Sequence, residues 1–318
     1  MMTAQLASGA QHGAPRRRTT WRRRRDIGAG YAFLSPWLIG FFVLTAGPMV
    51  ASLVLSFTDY DLFSAPSPVG FANYTRLFTD SNYLQAVKVT LLYVVFGAPL
   101  KLIVALAVAV LLNHARGGSG FYRSAFYLPS LIGGSVSVAI VWKAMFTDKS
   151  IVANIGSFFG GPPAESGGWV GNPSMTLPML ILLTVWQFGA PMIIFLAGLK
   201  QVPTELLESA SVDGAGPVRR FTRITLPMLS PVLFFNLLLE LIHSFQVFNS
   251  AFIISNGTGG PVRSTLFYTL YLYQRGFSDF QMGYASAMAW VLLVVIGLVT
   301  LMLFRTSNAW VHYGGDEK

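Results

Sequence analysis

The 318-residue chain is 53% hydrophobic and only 11% charged, carries a formal net charge of +9 and contains no cysteine. With a mean hydropathy of +0.56, it lies outside the range of soluble globular domains and describes an integral membrane protein. The missing cysteines exclude disulfides, thiolate chemistry and Cys-ligated metals.

Seven arginines between Arg16 and Arg25 mark residues 1–26 as a basic, disordered tail. Such a patch can bind nucleic acid, but this one has no interleaved aromatic beyond Trp21 and abuts an apolar run. A topology anchor against anionic lipid fits it better. The apolar stretch that follows is ~25 residues, too long for the core of a cleavable signal peptide.

Runs able to cross a hydrocarbon layer of ~30 Å lie near Ala32–Ser56, Val89–Leu112, Ala125–Phe146, Thr176–Leu199, Pro231–Phe252 and Gly283–Phe304. They predict an all-α, polytopic fold: one six-span domain over 27–310 and a short second tail over 311–318. Fifteen of the 22 basic residues fall on one side: the seven tail arginines, Arg116, Arg123, Lys200, Arg219, Arg220, Arg223, Arg305 and Lys318. The other side holds Arg76, Lys88, Lys149, Arg263 and Arg275. The positive-inside rule then places both termini in the cytoplasm.

Within the spans, Gly40, Gly47 and Gly97 permit close helix packing, and Pro36, Pro48, Pro99 and Pro191 permit kinks. Lys101 sits midway along the second span. In the fifth, a turn of ~100° per residue gathers Asn236, Glu240, His243, Ser244, Gln246 and Ser250 on one side, with Asn249 close by. Charge at bilayer depth is costly and faces the bundle interior, so Lys101 is a counter-ion candidate for Glu240. Trp186-Gln187 and Phe245-Gln246 pair an apolar ring with an amide, a combination suited to a small-molecule pocket. The stripe reads equally as a solute path or as interhelical hydrogen-bond glue.

Between the fourth and fifth runs lies Glu208–Pro231, ESASVDGAGPVRRFTRITLPMLSP. Pro203 suits a first helical turn, and Glu205 and Glu208 favour its N-terminal end, so a short helix should run to about Val212. Asp213-Gly214 is turn chemistry, and Gly216-Pro217 starts a second helix. There Val218, Phe221 and Ile224 share a face, and Pro227 should break the helix. An amphipathic element lying on the membrane surface has the same look.

The pattern E-x-A-x-x-D-G-A followed by F-x-x-I-x-L-P-x-x-x-P resembles the EAA loop of permease subunits in binding-protein-dependent ABC importers. The resemblance extends to Ser56-Phe57-Thr58-Asp59-Tyr60, Phe71-Ala72-Asn73-Tyr74, Gly259-Gly260-Pro261 and Gly283-Tyr284-Ala285-Ser286-Ala287. It is most similar to the first permease of the carbohydrate-uptake class, which includes maltose-type and glycerol-3-phosphate-type systems. Asn249 departs from it, since many relatives carry an Asp there. The resemblance implies a multi-pass subunit of a bacterial-type cell membrane, with a second homologous permease, ABC ATPase subunits and an extracellular solute-binding protein as partners. It also implies that Glu208 anchors the loop in the ATPase cleft, that Gly214 makes the bend, and that Ala210, Ala215, Phe221 and Leu226 form the packed surface, with Asp213, Ile224 and Pro227 also in the coupling loop.

No P-loop, H-E-x-x-H or Gly-x-Ser-x-Gly elbow occurs. The chain itself is thus expected to be no enzyme and to hold no cofactor, with ATP and Mg bound by the partner ATPase. The alternatives are an importer of a non-carbohydrate solute and a self-sufficient secondary carrier, for which inverted repeats and broken midplane helices would be expected. Neither is evident in the sequence.

Overall fold

The computed structural model describes residues 20–114, 119–147 and 167–312. Arg16–Arg18, Arg116, Lys149, Glu165 and residues 313–318 of the second tail lie outside the described residues. The chain divides into two units, Met1–Ser52 and Leu53–Lys318. In the first, helix α1 spans Thr20–Phe41 and leads through a π turn, Phe42–Ala46, into α2, Gly47–Leu55. Residues 20–26, expected to be disordered, are therefore helical: Arg is a good helix former, and neither Gly nor Pro interrupts Thr20–Ile27. Phe33, Leu34, Trp37 and Ile39 are exposed, as lipid-facing side chains would be.

The second unit opens with a minimal antiparallel hairpin, β1 (Thr58–Asp59) against β2 (Ser67–Pro68), and α3 (Ala72–Leu77). Helix α4, Ser81–His114, follows. At 1.5 Å per residue its 34 residues span about 50 Å. Ala86, Ala98, Ala105 and Ala109 are wholly buried on it, small side chains that let neighbouring helices approach closely.

The third and fourth apolar runs do not form straight spans. The third is α5 (Ser119–Ile132) and α6 (Val136–Phe146), bent by 95° at Gly133-Gly134-Ser135. After a short turn, α7 (Gly168–Gly171), the fourth is α8 (Pro173–Trp186) and α9 (Gly189–Leu199), bent by 44°. Four helices are individually long and apolar enough to cross a membrane, and up to six if each bent pair is one span. The two bends are breaks that the sequence did not reveal.

The two breaks lock together. Ser130 Oγ donates to Gln187 O and accepts from Ala190 N, both at 2.9 Å. One hydroxyl thereby satisfies backbone groups freed by the second break. A Cβ on Gly133 would lie 2.3 Å from Gln187 Cγ, and one on Gly189 would lie 2.2 Å from Phe126 O. Glycine is what allows this crossing.

Helices α10 (Thr204–Val212) and α11 (Pro217–Arg220) come next, then a second π turn, Phe221–Thr225, and α12 (Leu226–Met228). Pro227 itself does not break the helix; the interruption comes two residues later, at Leu229, before the next apolar run. In both π turns the next residue's N–H reaches back five positions, Gly47 to Phe42 and Leu226 to Phe221, and a proline follows immediately, Pro48 or Pro227. The widened turn relieves the clash between a proline ring and the carbonyl four residues back, so the helix continues. It leads into α13, Ser230–Phe245. The fifth run stops there for three residues and resumes as α14, Asn249–Ser255. Helix α15 (Tyr268–Tyr273), a third π turn (Gln274–Ser278) and α16 (Met282–Trp310) close the unit.

Candidate functional site: a folded loop and a polar cavity

Helix α10 starts from Pro203, which stands at the N-cap and not inside the first turn. At its end Ala215 N donates to Ala210 O at 2.9 Å and Gly214 N to Ser211 O at 3.1 Å. This is the Schellman pattern, in which the chain reverses through a left-handed residue; Gly214 has φ +78°. Asp213 is the C-cap, and Pro217 opens α11 at its first position. Glu208, Asp213 and Gly214 are exposed, while Ala210, Ala215, Phe221, Ile224, Leu226 and Pro227 are half-buried. Val218 and Phe221 line the same cleft as expected, although Val218 is 74% exposed, while Ile224, expected on that face, lines another, since the π turn Phe221–Thr225 changes the helical phase between them. Arg220 Nη1 reaches back to Leu207 O at 3.4 Å and ties the two helices.

Two clefts flank this loop. One of about 410 Å³ lies between α10–α11 and the end of α4, lined by Asn113, His114, Leu207 and Phe221. The other, about 440 Å³, is lined by Ala210, Asp213, Ile224, Pro227 and His312. The loop therefore presents two exposed short helices on a partly undercut platform.

Midway along the helices, Lys101 Nζ on α4 meets Glu240 Oε2 on α13 at 2.8 Å, with side chains 13% and 8% exposed. In so dry a setting each charge depends on the other. They border a cavity of about 260 Å³ that also takes in Gln187, His243, Ser244 and Asn249 and the Gly133-Gly134-Ser135 break. Ser244 Oγ is buried there without a hydrogen-bond partner among the described residues. Tyr93 and Thr184, hydrogen-bonded to each other, complete the wall.

Of the eight residues expected on a solute path, Lys101, Gln187, Glu240, His243 and Asn249 line this cavity. Trp186, Asn236 and Gln246 do not. The Trp186 ring lies 5.6 Å from Trp142 beside a core cluster. Asn236 Nδ2 donates to Val232 O on its own helix. Gln246 is exposed where α13 ends, because the helical wheel used to place it no longer applies once the helix stops. Tyr93, Thr184 and the glycine break were missed, since no polar stripe marks them in sequence.

Several helices apolar enough to cross a membrane, a polar cavity among them and a folded loop between two of them define a membrane transport subunit. The family described as binding-protein-dependent transport system inner membrane component matches residues 83–312. The chain belongs to this family, and it is a multi-pass membrane permease rather than an enzyme. It is 55% identical to the probable ABC transporter permease protein YesP of Bacillus subtilis, over 93% of this chain and 95% of that one. It is 30% identical to the lactose transport system permease protein LacF of Rhizobium radiobacter, over 92% and 97%, and 30% identical to the sn-glycerol-3-phosphate transport system permease protein UgpA of Escherichia coli, over 89% and 95%. A crystal structure of a bacterial ABC transporter that imports the acidic polysaccharide alginate superposes with a TM-score of 0.74, covering 91% of this chain and 98% of that one at 24% identity, and so shares its fold.

Proposed function

We propose that this chain is the six-span permease of an ATP-driven importer that translocates a sugar or sugar-like solute delivered by an extracellular binding protein. The carrying observation is the α10–α11 loop: two exposed helices fixed by a Schellman turn, bearing the motif of the family's coupling element. A rigid element is needed there because a conformational change is driven only by contacts that differ between the two states. ABC ATPase subunits dock on this loop, with Glu208 as the polar anchor and Gly214 as the bend, and bind the ATP and Mg. A second homologous permease completes the pathway.

The named relatives that transport lactose and sn-glycerol-3-phosphate favour a carbohydrate-like solute. A second structure of the alginate importer is in complex with a periplasmic protein bound to an alginate pentasaccharide, which favours a binding protein here. Donors and acceptors at Lys101, Gln187, Glu240, His243 and Asn249 suit a hydroxyl-rich solute. The basic count supports a cytoplasmic loop, N-terminus and C-terminus, with residues 1–26 and 311–318 outside the membrane domain of 27–310.

Purification in mild detergent, followed by uptake in vesicles, tests this reading. An ATPase and a second permease should co-purify with the wild-type chain, and Glu208→Lys should detach the ATPase while the chain stays inserted. Normal ATPase retention and uptake by an inserted Glu208→Lys variant would sink the coupling assignment. Reporter fusions at Pro217 should read cytoplasmic and those at Ser67 and Thr258 external; an external signal at Pro217 overturns the topology.

A further inference from the structure

Asp80, in the turn between α3 and α4, is the most heavily bonded carboxylate among the described residues. Its Oδ1 accepts from the backbone N–H groups of Asn82 (2.9 Å) and Tyr83 (3.3 Å), capping α4. Its Oδ2 accepts from Tyr271 OH on α15 (2.5 Å) and Tyr284 OH on α16 (2.9 Å). Arg275 Nη2 stands 3.8 Å from the same oxygen, and Arg275 Nε donates to Tyr271 OH at 2.7 Å. Burial by itself would push the Asp80 carboxyl up, but the hydrogen bonds from Tyr271, Tyr284 and the two backbone groups outweigh it and hold the carboxyl below its usual value. One side chain, 9% exposed, therefore joins the ends of three elements far apart in sequence.

The same helix is tied again 21 residues on, about 30 Å along its axis, where Lys101 meets Glu240 of α13. The two ties differ in kind. At the Asp80 end a carboxylate is surrounded by four donors and a cation from three elements, so its loss strands several buried groups at once. At Lys101 a single charged pair borders a cavity, and the rest of the contact between α4 and α13 is apolar packing of Leu102, Ala105 and Ala109 with Val232, Leu233 and Leu237.

We infer that Asp80 is a positioning residue. It clamps the ends of α4, α15 and α16 into one body, against which α13 shifts by making and breaking Lys101–Glu240. The geometry stands on its own, while the use of that shift in transport rests on the permease reading.

Spin-label distances in lipid nanodiscs test the clamp on the chain itself, since the Cys-free sequence makes each introduced label unique. One pair, Leu84→Cys with Phe277→Cys, reports α4 against the turn after α15; both sites are exposed. A second, Ile103→Cys with Leu239→Cys, reports α4 against α13 at mid-height, also from exposed sites. Asp80→Ala should broaden the first distance distribution at least twofold and leave the second unchanged, and Asp80→Glu should restore part of the width. Lys101→Met should do the reverse. Should Asp80→Ala fail to fold, the double variant Tyr271→Phe/Tyr284→Phe, which removes two donors and keeps the carboxylate, should give the same selective broadening. An unchanged first distribution, or equal broadening of both, overturns the clamp. The permease reading is judged separately, by whether an ATPase co-purifies.

Discussion

The α10–α11 loop and the midplane cavity are both polar features of an apolar chain, yet they are built by opposite means. In the loop every defining bond is local: Ala215 to Ala210, Gly214 to Ser211, Arg220 to Leu207. In the cavity the defining contact joins residues 139 apart, Lys101 and Glu240, and the wall comes from five helices and a break. A surface of the kind proposed to dock another protein can be specified by a short motif. A cavity in a membrane bundle exists only once the bundle has formed.

The largest effect should come from splitting the buried pair. Glu240→Leu strands Lys101 and should destabilise the chain by about 3–5 kcal/mol, whereas Glu240→Leu/Lys101→Met should recover most of that loss. Thermal melting in nanodiscs compares them, and identical melting of the single and double variants would show that the pair is not coupled.

The loop should behave in the opposite way. Gly214→Val forces a β-branched residue into φ +78°, a local strain of about 1–3 kcal/mol. Because nothing lies within 4 Å of a Cβ there, global melting should move little while ATPase retention and uptake fall tenfold or more. A large drop in melting temperature with coupling intact would reverse the distinction between the two regions.

Within the cavity the contrast sharpens to single residues. Asn249→Leu, on the wall, should weaken uptake affinity five- to tenfold, about the loss of one hydrogen bond. Gln246→Leu, which is off the wall, should change it less than twofold. Equal effects would return the polar stripe to the role of interhelical glue.

The smallest effect is one of pH, at the Asp80 end. A carboxyl held below its usual 3.8 stabilises the fold fully above that value, and the contribution is lost as pH falls through the folded-state value. Melting should therefore show no Asp80-dependent change between pH 7 and 5. The wild type should then lose its advantage over Asp80→Asn only below about pH 4; an advantage that persists unchanged to pH 2 would contradict the assignment.

Legibility in the sequence followed the range of the interactions. The helix ending at Val212, the turn at Gly214 and the restart at Pro217 were readable because capping and left-handed glycine act over four or five residues. The Lys101–Glu240 pair was readable for another reason: two opposite charges in apolar runs have few other ways to be satisfied. Gln246 falls off the cavity wall because a helical wheel assumes an unbroken helix and the stop at Phe245 does not announce itself; Asn236 bonds Val232 on its own helix, and the pairing of the Trp186 ring with an amide does not fix where the ring packs. The continuation of the helix through Pro227 was missed because a π turn depends on one hydrogen bond shifting by one residue. Asp80 gave no signal, since its partners Tyr271 and Tyr284 lie some 190 and 204 residues away.

By itself the sequence determined the membrane setting, the helical class, the local shape of the loop and the pairing of the two midplane charges, all consequences of hydropathy, capping and the cost of lone charge in hydrocarbon. Only the tertiary structure decided where the helices break, which polar groups share a cavity and which carboxylate holds three elements together. Those outcomes depend on close approach between distant segments, Gly133 against Gln187 and Asp80 against two tyrosines, and a contact of that kind has no period or spacing along the chain.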